Sequence, residues 1–260
     1  MIPWHAWWLV WALAAIAQAV AWLWAQRTSN ATLVDAVWAS AVGGSAVLLA
    51  ALGPGAALPR GVLAVIGAAW GLRLGLHLWA RVREGREDGR YQALRARWGD
   101  RPLTWFLFFQ FQAALVALFA LPFLPVAANP DGHLRLVTML AIAVWIVAVG
   151  GESIADRQLA RFRADPSTAG TVCRQGLWRY SRHPNYFFEW LHWFAYPLLA
   201  IGAPMAWLAW LGPVLMYVFL RWLSGIPHTE AQALRSRGEA YRDYQRTTPM
   251  LIPRFRRRPR

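Results

Sequence analysis

The stretch Leu33-Val-Asp-Ala-Val-Trp-Ala-Ser-Ala-Val-Gly-Gly-Ser-Ala-Val-Leu-Leu-Ala-Ala-Leu52 runs for 20 residues with a single charge, Asp35. A soluble core in a chain of 260 residues has no need of apolar runs approaching that length. In a helix, about 20 apolar residues cross the hydrocarbon of a bilayer. Outward from this stretch the pattern recurs at Trp4–Trp24, Gly61–Trp79, Trp105–Pro125, Leu134–Ile154, Phe187–Ala203 and Pro204–Leu223. The last two are short and meet at Gly202-Ala203-Pro204, a tight hairpin signal. The expected fold is all-α, an integral membrane bundle of about seven transmembrane helices. Composition agrees: 57% of residues are hydrophobic and 15% charged, against roughly 25% charged in an ordinary soluble domain. The first run has no basic residue before it and no small-residue cleavage site, so it reads as a span and not a cleaved signal.

All 27 basic residues are Arg, against 13 acidic ones. Without Lys there is no Schiff base to pyridoxal or retinal and no phosphate-loop lysine, which excludes a rhodopsin and a Walker-type ATPase. Cys173 stands alone, so an intrachain disulfide and a Cys-rich metal site are excluded too. Seven arginines fall in Arg81–Arg101, six in Arg157–Arg182 and ten in Arg221–Arg260. They alternate as seven spans require, and the positive-inside rule puts the N-terminus outside and the C-terminus in the cytoplasm. No repeat or low-complexity linker divides the chain, so residues 1–253 read as one membrane domain. Residues 254–260 read as a basic tail drawn to anionic lipid rather than to nucleic acid.

Three arginine-bearing segments mix Gly, Pro, Asn, His and Tyr with charge, as a shaped anion pocket would and a merely solvated face would not. One is Arg81-Val-Arg-Glu-Gly-Arg-Glu-Asp-Gly-Arg90-Tyr91. A second runs from Glu152-Ser-Ile-Ala-Asp156 through Arg163 to Gly176-Leu-Trp-Arg-Tyr-Ser-Arg182-His183-Pro184-Asn185-Tyr186. The third runs from Ser224-Gly-Ile-Pro-His-Thr-Glu230 to Tyr241 and Tyr244. Glu152 and Asp156 are four apart and share a helix face, as do Asn185 and Glu189. Pro184 suits a first helical turn, which places Asn185 where backbone N–H groups are free to meet an anion. Glu189 and His192 would lie in hydrocarbon, so they should face a bundle interior or cavity; a structural ion pair is the other reading. The six histidines form no metal box and there is no Cys cluster, so no metal site is expected. A dinucleotide turn of the G-x-G-x-x-G type and a G-x-S-x-G elbow are absent as well.

Gly176-Leu-Trp-Arg-Tyr-Ser-Arg-His-Pro-Asn-Tyr with Glu189 resembles the C-terminal signature of the membrane steroid 5α-reductase superfamily, and within it the bacterial DUF1295 group. Glu152-Ser-Ile-Ala-Asp-Arg-Gln-Leu, Glu87-Asp-Gly-Arg-Tyr91, Ser224-Gly-Ile-Pro and Val34-Asp-Ala-Val-Trp38 are similar to that group also. The resemblance implies a reductase in the bacterial inner membrane, its active site facing the cytoplasm. It would use NADPH to saturate a C=C bond conjugated to a carbonyl in a steroid or other apolar lipid. It implies no obligate protein partner. By it, Asp156, Arg163, Asn185 and Glu189 match cofactor-contacting positions, and Arg182, His183, Tyr241 and Tyr244 belong to matching motifs. Isoprenylcysteine methyltransferases, which bind S-adenosylmethionine, carry a similar Arg-His-Pro-x-Tyr element. A lipid methyltransferase and a non-catalytic sterol- or lipid-binding scaffold are therefore the alternatives. Steroid 5α-reductases also carry a Gln-Glu pair in the second helix and a Tyr in the third; here Trp38-Ala-Ser-Ala and His77-Leu-Trp79 stand instead. That departure opens the substrate to enones other than a 3-oxosteroid.

NADPH brings several negative charges, and guanidinium meets phosphate in bidentate geometry. Arg81, Arg90 and the 157–163 and 174–182 arginines thus favour it over a sulfonium cofactor, with Glu152 completing the Asp156 face. Hydride transfer to the β-carbon of an enone builds charge on the carbonyl oxygen, which an acid must stabilise. Asp35 is the first candidate, with its pKa raised among apolar neighbours, and His77 and Tyr91 are the alternates. An N-terminal helix cap is the other reading of Asp35.

Overall fold

The computed structural model describes residues 1–254; of the basic tail expected at 254–260, all but Arg254 lies outside the described residues. Every regular element described is helical. In chain order the α-helices are α1 (Trp4–Thr28), α2 (Leu33–Leu52), α3 (Ala57–Arg83), α4 (Gly89–Trp98), α5 (Pro102–Ala120), α6 (Phe123–Ala127), α7 (Leu136–Ala164), α8 (Pro184–His192), α9 (Ala195–Leu199), α10 (Leu211–Val218) and α11 (Ile226–Thr247). Among the described residues, six helical runs are long and apolar enough to cross a membrane: α1, α2, α3, α5, α7 and the stretch Ala206–Thr247 that takes in α10 and α11. The expected span Phe187–Ala203 is divided instead into α8 and α9, each too short to cross alone. Pro197 supplies the reason. Its ring cannot tolerate the carbonyl four residues back in a continuous helix, and it has no N–H to donate.

The chain separates into two compact units. The first comprises Met1–Thr138 with Tyr196–Leu211, the second Met139–Ala195 with the chain from Gly212 onward. In the first unit, α2 and α3 approach so closely that only glycine fits between them. A Cβ built on Gly71 would stand 2.6 Å from the Cα of Gly43, and one on Gly43 would stand 2.9 Å from the Gly67 carbonyl oxygen. Backbones in contact maximise dispersion where lipid offers helices no hydrophobic drive to associate. Arg60 closes the far end of α2: its Nη1 donates to the carbonyls of Ala50 at 3.1 Å and Gly53 at 2.9 Å, acceptors that the helix leaves open. The late segment is fixed by Asn129, whose Nδ2 donates to the Leu199 carbonyl at 2.7 Å, and by the Phe123 and Tyr196 rings, 4.7 Å apart.

In the second unit, Pro184 occupies the first turn of α8, where its missing N–H costs nothing. Gly238 takes φ of 52° inside α11 and bends it. Residues beyond that bend turn back toward the Ser181–His183 segment, as the hydrogen bonds described next require.

Candidate functional site

Each unit carries its own polar cluster. In the first, the loop before α4 docks on the turn between α1 and α2. Asp88 caps α4 by accepting the Arg90 N–H at 2.9 Å, while its own N–H donates to Thr32 Oγ1 at 2.9 Å. Glu87 accepts from the Ala31 N–H at 2.8 Å and from Arg95 Nη2 at 2.8 Å. At the centre stands Asp35, just inside α2. One of its carboxylate oxygens accepts from Arg90 Nη2 at 2.7 Å and the other from the Tyr91 hydroxyl at 2.6 Å.

Asp35 is therefore not set among apolar neighbours as expected from sequence. Both of its oxygens are committed to donors, and the N-cap position of α2 belongs to Thr32, not to Asp35. The group that holds a proton in this cluster is the Tyr91 phenol. Burial first, and the Asp35 carboxylate second, push its pKa well above the ordinary value. His77, the other alternate, is exposed on α3 and joins no hydrogen bond of this cluster among the described residues. Arg81 pairs with Asp88, and Arg90 divides its guanidinium between Asp35 and Asp88. Both arginines thus have internal carboxylate partners, while the Arg81 side chain remains 44% exposed.

Burial alone would raise the Asp88 pKa, but the Arg90 side chain and N–H, with the charges of Arg90 and Arg81, hold it down at about 2. A carboxyl depressed in the folded state stabilises the fold above its unfolded pKa and stops doing so as pH falls through its folded one. The loop should hence lose on the order of 2 kcal/mol between roughly pH 4 and pH 2. Thermal unfolding in detergent across that range should show the loss in the parent. Asp88→Asn should flatten that part of the slope, and an equal slope in the variant would refute the assignment.

The second unit holds two groups. Around Glu230, Oε1 accepts from Arg182 Nε at 2.7 Å and from the Tyr241 hydroxyl at 3.4 Å, with His183 Nε2 at 3.2 Å; Oε2 accepts from Gln245 Nε2 at 2.9 Å. Arg182 Nη1 donates further to the carbonyls of Gln245 and Thr248, and the Tyr244 hydroxyl donates to those of Trp178 and Ser181. Burial, partly offset by Glu230, lowers the His183 pKa. Arg182, His183, Tyr241 and Tyr244, all expected to touch a cofactor, are thus held in an internal clasp.

The other group is the facing surface of α7 and α8. Asn185 Nδ2 donates to Asp156 Oδ1 at 3.2 Å, while Asn185 Oδ1 is buried without a hydrogen-bond partner. Deeper along α8, Glu189 and His192 are buried, 3.8 Å apart, and the Trp193 indole donates to Glu189 at 3.5 Å. Glu152 is buried one turn before Asp156, and Arg163 is exposed near the end of α7. The structure therefore brings Asp156 to Asn185 and Glu189 to His192. An orphaned buried carbonyl oxygen beside a carboxylate is what a donor such as a carboxamide NH2 or a ribose hydroxyl would satisfy. Asp156 and Asn185 fit a nucleotide cofactor in this respect; the clasp does not.

Glu87 and Glu230, the centres of two of these networks, carry no role in the sequence reading. Glu230 lies 48 residues from Arg182, and no local spacing signals the pair.

A chain whose described regular elements are all helical, with six apolar runs of spanning length among the described residues, is a polytopic membrane protein. The chain belongs to the DUF1295 family, described as "Protein of unknown function", whose model matches residues 21–248. No curated protein and no solved structure matches it.

Proposed function

We propose that the protein is an NADPH-dependent reductase that saturates a C=C bond conjugated to a carbonyl in an apolar lipid or steroid-like enone. Its arginine-rich segments would lie in the cytoplasm, as the positive-inside rule expects. The observation that carries the reading is the Tyr91–Asp35–Arg90 arrangement, in which the buried Tyr91 hydroxyl oxygen stands 2.6 Å from a carboxylate that an arginine anchors. NADPH, when bound, would supply the hydride that the β-carbon receives. Charge would then collect on the substrate's carbonyl oxygen, and the Tyr91 phenol, kept protonated by burial, would turn its single proton from Asp35 to that oxygen. Asp35 acts as a positioning residue: it holds the hydroxyl in place, and Arg90 holds Asp35. The α-carbon takes its proton afterwards from solvent.

In the second unit, the Asn185 Oδ1 and the Asp156 carboxylate are the acceptors that would hold the cofactor's hydrogen-bond donors, and the exposed Arg163 would meet its phosphate. Asn185→Ala and Arg163→Ala should each weaken NADPH binding about ten-fold or more while the protein remains folded in detergent. Titration of NADPH and S-adenosylmethionine against parent and variants checks this, followed by NADPH oxidation with a panel of enone lipids. Binding of S-adenosylmethionine in place of NADPH, or unchanged NADPH binding by both variants, would defeat the assignment.

A further inference from the structure

Along α7, and lined also by Phe188 of α8, a cavity of about 450 Å³ opens among Ile146, Gly150, Ile154, Gln158 and Leu177. Two glycines shape it. A Cβ on Gly151 would strike the Phe188 ring at 2.5 Å, so the ring seats against bare backbone; a Cβ on Gly150 would meet nothing within 4 Å. Because α7 is long and apolar enough to span a membrane, and Ile146 and Ile154 are 58% and 45% exposed, the groove opens toward hydrocarbon. Water has no place there, and an apolar chain does.

The far end of the groove is polar. One turn past Ile154, Gln158 Oε1 accepts the Leu177 N–H at 2.9 Å, which leaves the amide NH2 as a donor. Arg157 and Arg161 continue the helix face three and seven residues beyond Ile154. Both are exposed and neither has an ion-pair or hydrogen-bond partner among the described residues. An apolar slot that ends at an amide donor and two uncompensated guanidinium groups matches an amphipath with an anionic head. We propose that the groove binds an anionic phospholipid. One acyl chain lies over Gly150, the Gln158 amide donates to the ester region, and the phosphate sits on Arg157 and Arg161. The site uses neither Asp156, Asn185 nor Arg163, and it takes Arg157 and Arg161 for lipid where the sequence offered them to NADPH.

Native mass spectrometry of the detergent-purified protein tests this with phosphatidylglycerol and phosphatidylcholine of identical chains. The first phosphatidylglycerol should bind about ten-fold more tightly than phosphatidylcholine. Gly150→Leu places a side chain in the slot without meeting backbone, and should lower phosphatidylglycerol binding about ten-fold or more. Arg157→Gln combined with Arg161→Gln changes only exposed side chains and should abolish the preference between the two lipids. Equal binding of both lipids by the parent, or parental binding by Gly150→Leu, would overturn the proposal. So would a lipid-free dimer that Gly150→Leu converts to monomer, because the groove would then belong to a second copy.

Discussion

Tyr91→Phe should cut enone reduction by a factor of about 10² to 10⁴, the usual worth of a positioned acid, with NADPH affinity close to the parent's. The substitution removes one oxygen. The ring keeps its edge contact with Phe108, 6.0 Å between centroids, and the Arg90–Asp35 pair at 2.7 Å has no reason to part. If the hydroxyl served only to brace α4 against α2, its loss would cost one buried hydrogen bond, about 1 kcal/mol of stability, and leave turnover nearly intact. Turnover, NADPH affinity and melting temperature measured on one preparation separate the two cases. Asp35→Asn is the less informative change. It takes a charge from beside Arg90 and so alters stability and chemistry together. A Tyr91→Phe enzyme with parental turnover would remove the phenol from the mechanism.

The largest structural effect is expected at Gly71. Valine there must thrust a β-branched side chain into the Gly43 backbone, and the obstructing atoms are main chain that no rotamer change can move. Overpacking of a close interface costs about 3 kcal/mol or more when the backbone itself must give way. In a protein whose total margin is of the order of 5–15 kcal/mol, that should empty most of the folded, monodisperse fraction. Gly44→Val is the matched control one position from Gly43, because a Cβ there meets nothing within 4 Å. Size-exclusion profiles and detergent melting curves should show a normal Gly44→Val protein and a depleted Gly71→Val one. Equal behaviour of the two would mean that α2 and α3 do not pack as described.

Hydrophobic runs made most of the helices legible, because length and apolarity alone specify a span in lipid. α2 begins and ends at the expected residues, Leu33 and Leu52. The break between α8 and α9 was harder to read: Phe187–Ala203 is apolar apart from Glu189 and His192, and Pro197 decides the matter by backbone geometry that hydropathy does not register. Gly67, Gly71 and Gly75 recur at four-residue spacing, but the spacing gains meaning only once Gly43 is known to lie opposite. The candidate site was legible in membership more than in role. Tyr91, Asp35 and Arg90 were all singled out, yet their mutual bonds join α2 to α4 across 55 and 56 positions of sequence. Arg182 and Tyr241 were assigned to the cofactor by resemblance, and the sequence carries no local sign of Glu230, the partner they share in the fold.

The interlacing of the two units bears on how the protein is made. A ribosome releases α1 to α6 long before Tyr196–Leu211, the segment that completes the first unit. The Ser181 hydroxyl likewise waits some seventy residues for the Leu251 carbonyl that it bonds at 2.8 Å. Neither unit is finished when its first helices enter the bilayer, and the second unit starts before the first is complete. Translation order and closure order therefore differ. A nascent chain stalled before residue 196 should expose two incomplete bundles to membrane quality-control proteases, and one stalled before residue 251 only one.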